Sequence, residues 1–399
     1  MERREFVKRS GVAALALATS PAIGGFNIIG KAQETVNIGV IGTGGRGSGL
    51  IPVINEIEGL QVTACCDILP FRLESALKRV DGKASGYEDY RKVLEDKNVD
   101  AILVATPLSE HAGIEIDALK AGKHIYGEKT LAKGYSQIEA LLKEKREHPE
   151  LIFQTGHQYH SSRLYTGVVK LIEEGKIGKI AAFESQWNRS GNWRREVPKP
   201  EYERIVNWRM YKEYSGGLTA ELCSHQIDFA NWVLEETPDQ VVGFGGIDYW
   251  KDGRETYDNV HLVYNYPSGV RATYMCLTSN ARNDYQIKVM GDKGTIILDY
   301  TKAWFYPEGN YERELGEVDG VSGATASWKE GKGIPLNISH VEPSKQALVD
   351  FKDSILKKQK PLSDINTGAK AAIAVQMGLD AMYDNTVAKW KPEYNDWVG

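Results

Sequence analysis

Gly42, Gly44 and Gly47 stand in a GxGxxG spacing within Ile38-Gly-Val-Ile-Gly-Thr-Gly-Gly-Arg-Gly47, directly after an apolar β-type run. A glycine turn there lets backbone amides at a helix N-terminus meet the pyrophosphate of a dinucleotide. Thr43, Gly45 and Arg46 lie in the same loop, and Arg46 is expected to help hold the pyrophosphate. Asp67 ends the next apolar run, 20 positions beyond Gly47. At that distance a carboxylate reaches the adenine ribose hydroxyls. It repels a 2′-phosphate, so the expected cofactor is NAD rather than NADP. Arg72, one turn into the next helix, is expected to pair with Asp67.

Two further groups suit proton chemistry. In Tyr126-Gly-Glu-Lys-Thr130 a strand ends in Glu128-Lys129. A lysine at such a strand end can orient a substrate hydroxyl and help to deprotonate it. Further on, Ser215-Gly-Gly-Leu-Thr-Ala-Glu221-Leu-Cys-Ser-His225-Gln-Ile-Asp228 reads as a helix. Its i, i+4 spacing puts Glu221 and His225 on one face, with Asp228 a turn later. A histidine flanked by carboxylates suits acid–base work near neutral pH. The alternatives are a solvated lysine and a structural histidine. The trio could also ligate a metal, but nothing else in the chain has metal-site spacing, and none is expected.

The elements that must carry these residues alternate strand and helix from Thr35. Strands are expected over Val36–Ile41, Leu60–Cys66, Ala101–Ala105, His124–Tyr126 and Ile152–Thr155. Helices follow over Gly45–Ile57, Phe71–Val80, Tyr90–Glu95, His111–Ala121 and Tyr135–Glu147. Such alternation builds right-handed βαβ units on a parallel sheet covered on both faces. The strand ends at Thr106-Pro107, with His111 opening the next helix, and at Glu128-Lys129 then face the ligand crevice. After Gly156 the pattern changes to strands at Ile180–Trp187, Gln240–Phe244, His261–Tyr266, Val270–Leu277, Tyr285–Val289 and Thr295–Asp299. Turns at Pro267-Ser-Gly269 and Gly291-Asp-Lys-Gly294 separate some of them. The expected architecture is a Rossmann domain over 34–155 and an open antiparallel-sheet α+β domain over 156–399. A helix is expected at 369–382, capped by Thr367. Residues 188–212, rich in Trp, Arg, Asn and Pro, read as a long loop at the substrate face.

Composition narrows the partners. A net charge of −5 gives no general attraction to nucleic acid or to anionic membranes. Four cysteines in 399 residues are too few for a disulfide framework, and the adjacent Cys65 and Cys66 read as buried thiols. Residues 1–33 begin Met1-Glu-Arg-Arg-Glu-Phe-Val-Lys8 and continue with an alanine-rich apolar run. That run is too short to span a membrane, and the segment reads as a twin-arginine-type export signal with cleavage near Ala18. The expected location is the periplasm or another exported compartment, with no membrane association after export. No soluble cofactor pool is available there, so a nicotinamide enzyme would have to keep its NAD bound and recycle it internally.

Taken together, these pieces resemble the Gfo/Idh/MocA family (glucose–fructose oxidoreductase, inositol dehydrogenase and rhizopine-catabolism proteins) across 35–390. The family's motifs fall on Gly42-Thr-Gly-Gly-Arg-Gly47, Asp67, Thr106-Pro107 with His111, Glu128-Lys129, and Gly216-Gly217 through Glu221 to His225 and Asp228. The resemblance implies Lys129 and His225 as catalytic residues, with Glu221 and Asp228 orienting or binding. Two departures are visible: Thr130 replaces the usual proline, and Glu221 the usual aspartate. The second domain opens on Gly156-His157-Gln158-Tyr159 and Arg163, where the family begins its substrate face. His157, Tyr159, Arg163, Trp208 and Arg209 are the expected substrate contacts, with Trp187 and Trp193 as aromatic platforms for a sugar. The implied activity is oxidation of a ring hydroxyl of a sugar or sugar derivative. An NAD-dependent, redox-neutral glycoside hydrolase and a non-catalytic sugar-binding protein are the alternatives. A homodimer or homotetramer is expected, because Tyr264, Tyr266 and Tyr274 would otherwise leave an aromatic sheet face exposed.

Overall fold

Apolar runs without period-2 alternation belong in a sheet buried on both sides, and the first half of the chain folds that way. The computed structural model describes residues 35–310, 312–315, 326–329 and 331–399; the export-signal reading of 1–33 lies outside them. In chain order the first elements are β1 (Val36–Ile41), α1 (Gly45–Asn55), β2 (Leu60–Cys66), α2 (Pro70–Arg79), β3 (Ser85–Tyr87), α3 (Tyr90–Glu95), β4 (Ala101–Val104), α4 (His111–Lys120), β5 (His124–Gly127), α5 (Tyr135–Glu147) and β6 (Phe153–Thr155). All six strands are parallel, in the order β3-β2-β1-β4-β5-β6. This is the Rossmann arrangement, whose switch point lies between β1 and β4. Gly42 follows β1 there, and Ala105 and Thr106 follow β4.

The second half continues with α6 (Arg163–Glu173), β7 (Ile180–Trp187), α7 (Glu203–Val206), α8 (Ser224–Leu234), β8 (Gln240–Gly246), β9 (Asn259–Asn265), β10 (Arg271–Leu277), β11 (Tyr285–Gly291), β12 (Gly294–Leu298), β13 (Ala303–Pro307), the hairpin β14 (Glu312–Leu315) with β15 (Ala326–Lys329), and β16 (Ile334–Pro335). It ends with α9 (Pro343–Lys357), α10 (Ile365–Tyr383), β17 (Ala388–Lys389) and α11 (Pro392–Val398). Nine of these strands form one sheet, in the order β16-β13-β12-β11-β7-β10-β9-β8-β17.

That sheet is mixed, which corrects the expectation of an antiparallel one: β10 runs parallel to β7. No hairpin joins these two strands. The chain between them includes α8, β8 and β9, which is long enough for a parallel crossover.

A second correction concerns the tyrosines. Tyr264, Tyr266 and Tyr274 are buried beneath the helices, and the Tyr264 hydroxyl donates to the Ala374 carbonyl at 2.9 Å. Side chains alternate across a strand, so the outer face carries Val242, Phe244 and Val263 instead, all exposed. A third correction is the cap of α10: Asp364, not Thr367, accepts the first amide, from Thr367 N at 2.9 Å.

One connection across the chain was not legible in the sequence. Helix α9, from the far C-terminal part, lays Ala347, Leu348 and Phe351 into the same core as Val36, Ile38, Val40 and Ile51 of the parallel sheet. Residues 35–399 accordingly form one compact unit.

Candidate functional site

A cavity of about 1070 Å³ is lined on the Rossmann side by Gly42, Gly44, Gly45, Arg46, Asp67, Thr106, Pro107, His111, Glu128 and Lys129. From the second half come Trp187, Trp193, Trp208, Arg209, Glu221 and His225. The glycines have distinct physical roles. Gly42 has φ +86°, and a Cβ there would lie 2.7 Å from the backbone of Ala105. A Cβ on Gly47 would run into the Gly42 carbonyl oxygen. Gly44 is the N-cap of α1 and offers no side chain to its first amides, leaving them free for a phosphate.

Asp67 braces this loop. Its Oδ2 accepts from Thr43 N at 2.9 Å and from the Thr43 hydroxyl at 3.3 Å, while Oδ1 accepts from Leu69 N at 2.9 Å. A carboxylate has about four acceptor positions; three are taken, so one remains for a ribose hydroxyl. Burial pushes the Asp67 carboxyl above the usual range. The chain's own residues thus fit a dinucleotide.

Two assignments at this loop are corrected. Arg46 donates from Nε to Glu128 Oε1 at 2.7 Å and from Nη1 to Ser344 Oγ at 3.2 Å, so it is committed to a strand-end carboxylate rather than to a pyrophosphate. Arg72 makes no hydrogen bond to Asp67; its Nη1 lies 3.4 Å from where a Cβ on Gly44 would stand. Asp67 acts on Arg72 through its charge alone, without a hydrogen bond.

Around Lys129 the strand-end loop interlocks with the helix that carries Glu221 and His225. The first turn of that helix, Thr219–Cys223, is a widened π-turn running into α8. Such turns turn carbonyls outward and recur at functional sites. Lys129 Nζ donates to the Glu221 carbonyl at 3.0 Å, and Thr130 Oγ1 donates to the Ala220 carbonyl at 3.0 Å. The Lys129–Thr130 peptide is cis. His111, buried, spans the two strand ends: Nδ1 lies 2.9 Å from the Thr130 carbonyl and Nε2 3.0 Å from the Thr106 carbonyl. Burial pushes the Lys129 ammonium down, with Glu221 and Glu128 opposing. Burial would raise the Glu221 carboxyl, but Arg209, donating at 2.6 Å, and Lys129 hold it below the usual range.

His225 departs from the expected pattern. Neither carboxylate serves it: Glu221 is taken by Arg209, and Asp228 faces away, with its Oδ2 2.9 Å from His160 Nε2. Asp228 and His160 line a separate cavity, near Trp232 and Lys370. Three residues advance a helix by 300°, which is enough for Asp228 to be captured by His160 rather than follow His225. Burial, then Lys129, His157 and Arg46, push the His225 imidazole well below its ordinary value, so it is neutral at pH 7. Its ring sits 5.8 Å from Trp187, 5.1 Å from Tyr159 and 6.0 Å from His157.

The expected substrate contacts divide. Trp208 lines the cavity with the Arg209 guanidinium 4.2 Å over its ring. Tyr159 stacks on Tyr165 at 4.0 Å, and His157 is buried beside Thr155; both lie behind His225 rather than on the cavity wall. Arg163 is exposed at the start of α6, outside the cavity. Sequence reasoning missed Gln158, Arg189, Arg194, Arg195 and Tyr214 as lining residues. The only signal for three of them was the Trp- and Arg-rich loop.

Three fully buried imidazoles, His111, His157 and His225, have depressed values, in each case first by burial. The unfolded chain therefore binds more protons at these sites below about pH 6.5, and stability falls as pH drops through that value. Glu115, buried and raised well above its usual range, works the other way. His124, also lowered first by burial, adds to the three imidazoles, and Asp67 adds to Glu115; the net expectation is a loss of stability as pH falls below about 6.5. Urea unfolding at pH 7.5 and 5.5 measures it; a flat profile would show the imidazoles to be charged or solvated in the native state.

Residues 36–157 match the family model described as "Oxidoreductase family, NAD-binding Rossmann fold", and 165–297 match the "GFO/IDH/MocA C-terminal domain". The inositol 2-dehydrogenase of Salmonella typhimurium is 26% identical over 204 residues, covering 51% of this chain and 55% of that protein. The chain thus spans about half the length of this curated relative. The myo-inositol 2-dehydrogenase of Thermotoga maritima is 26% identical over 274 residues, covering 66% of this chain and 75% of that protein. The crystal structure of the aldose-aldose oxidoreductase of Caulobacter crescentus superposes with a TM-score of 0.71 at 18% identity, covering 90% of this chain and all of that one.

Proposed function

We propose that this chain, which belongs to the NAD-binding Gfo/Idh/MocA family of oxidoreductases, oxidises a ring hydroxyl of one sugar or polyol outside the cytoplasm and returns the hydride to the carbonyl of a second sugar, so that the NAD it keeps is regenerated in place. One observation carries the reading: half-buried Lys129 and buried His225 share a cavity wall with the glycine loop and three tryptophans. NAD, when bound, takes up the hydride lost by the carbinol carbon. The hydroxyl proton passes to the neutral His225 imidazole, while the Lys129 ammonium stabilises the oxygen as it loses that proton. Glu221, fixed by Arg209, sets the charge beside Lys129 and accepts a substrate hydroxyl. Trp187, Trp193 and Trp208 present apolar faces to the sugar's C–H groups. Catalytic roles for Asp228 and substrate roles for Arg163 are not part of this reading.

The Arg3-Arg4 segment supports passage by the twin-arginine route, and internal recycling follows from the absence of a cofactor pool beyond it. A homodimer or homotetramer through the outer sheet face, where Val242, Phe244 and Val263 are exposed, belongs to the same proposal. The test is to release nucleotide from purified protein by heat and quantify it. Protein with its retained NAD is then offered aldoses, inositols and glycosides without added cofactor. The expected result is stoichiometric NAD and many product molecules per bound NAD. Protein that purifies empty, and works only with excess NAD that becomes reduced in step with product, defeats internal recycling. Cleavage of a glycosidic bond without net redox change would favour the hydrolase instead.

A further inference from the structure

We propose that Arg195, carried on the loop after β7, closes over the phosphates of the bound dinucleotide and slows its release. This rests on the reading that the chain holds NAD. The Arg195 guanidinium reaches across from the second half of the molecule to the glycine loop, with Nη2 and Nη1 3.2 and 3.4 Å from where a Cβ on Gly45 would stand. Gly45 is the first residue of α1, where free amides favour a phosphate. Arg72 Nη1 approaches the adjacent Gly44, at 3.4 Å by the same measure.

Two guanidiniums therefore converge on consecutive glycines. No side-chain ion pair or hydrogen bond to Arg195 occurs among the described residues. Like charges held this close repel: burial, and then Arg195 and Arg209, push Arg72 down, with Asp67 opposing. A diphosphate carries one negative charge on each phosphate and satisfies both groups. Arg46, the basic residue within the loop itself, is already committed to Glu128.

The strap is anchored at its base. Arg195 N donates to Asn207 Oδ1 at 2.7 Å, and Asn207 Nδ2 donates back to the Arg195 carbonyl at 2.9 Å. Arg194 is held by Glu203 and Asp252. Fixed backbone with an unpaired side chain at its tip makes a latch that must swing aside before a nucleotide leaves.

The test uses NADH bound to the intact protein and chased with excess NAD, following the loss of its fluorescence. Arg195→Ala keeps the backbone bonds to Asn207, so it should fold, and an unchanged melting temperature of the nucleotide-free protein checks that. Release should quicken by about tenfold to a hundredfold, with Arg195→Lys in between. ADP should bind Arg195→Ala about tenfold more weakly, while adenosine binds both proteins alike. Added salt should speed release from the parent more steeply than from Arg195→Ala, where Arg72 alone remains to pair with the phosphates. Unchanged NADH release and ADP affinity would overturn the proposal. So would a raised KM for sugar with unchanged release, which would assign Arg195 to the substrate. A parent that binds no NAD would instead defeat the functional reading itself.

Discussion

Replacing Lys129 with methionine is expected to lower turnover by about three orders of magnitude and to change NAD affinity no more than a few-fold. The two effects separate because Lys129 sits on the wall shared with Glu221 and His225, while the glycine loop is braced independently by Asp67. Methionine fills nearly the same volume but supplies no charge to an oxygen losing its proton. The Glu221 carbonyl loses its partner, yet a half-buried ammonium is also removed, so the stability change should stay near about 1–2 kcal/mol. His225→Asn should cost about a hundredfold or more by removing the proton acceptor. A pH profile adds a signature that a structural role would not give. Because the imidazole titrates below its ordinary value, kcat/KM should hold steady through pH 6.5 and fall only beneath it, where His225 becomes charged. Turnover within a few-fold of the parent in both variants would make these residues structural.

How much of this site was legible in the sequence depended on how local the cause is. The strands of the parallel sheet were readable because their apolar runs need no partner to identify them: β1, β2 and α5 match the expected bounds residue for residue. The glycine loop was legible for the same reason, since Gly42 and Gly47 meet backbone only a few residues or one strand away. Side-chain destinations were not. Arg46 finds Glu128 and Ser344, 82 and 298 positions off, and Asp228 finds His160, 68 positions back. No spacing within the helix could reveal that capture. Period 2 correctly grouped Tyr264 with Tyr266 on one side of its strand. Which side the helices cover is a tertiary matter, and α8 and α10 cover theirs. The loop carrying Arg195 takes its shape from Asn207 and Asp252, contacts that no local pattern announces.

Asp67→Ala is expected to weaken NAD binding by about a hundredfold and to improve NADP relative to NAD. The carboxylate does two jobs. It holds the amides of Thr43 and Leu69 and the Thr43 hydroxyl, and it has an acceptor position left for a ribose hydroxyl. A hydrogen bond to a charged acceptor contributes about 1.5–3 kcal/mol, and about 1.4 kcal/mol is tenfold in affinity, so losing one ribose contact, together with the brace on the glycine loop, accounts for the effect. Asp67→Asn separates the jobs. One oxygen remains to accept from Leu69 or Thr43, so the loop is partly kept, but the negative charge that repels a 2′-phosphate is gone. NADP should therefore gain more in Asp67→Asn than the loop loses, particularly with the Arg72 guanidinium close by at Gly44. Titrating both nucleotides against the parent and the two variants decides it. A parent that prefers NADP, or an Asp67→Ala variant that binds NAD as tightly as the parent, would remove Asp67 from the ribose and leave it only as the brace of the glycine loop.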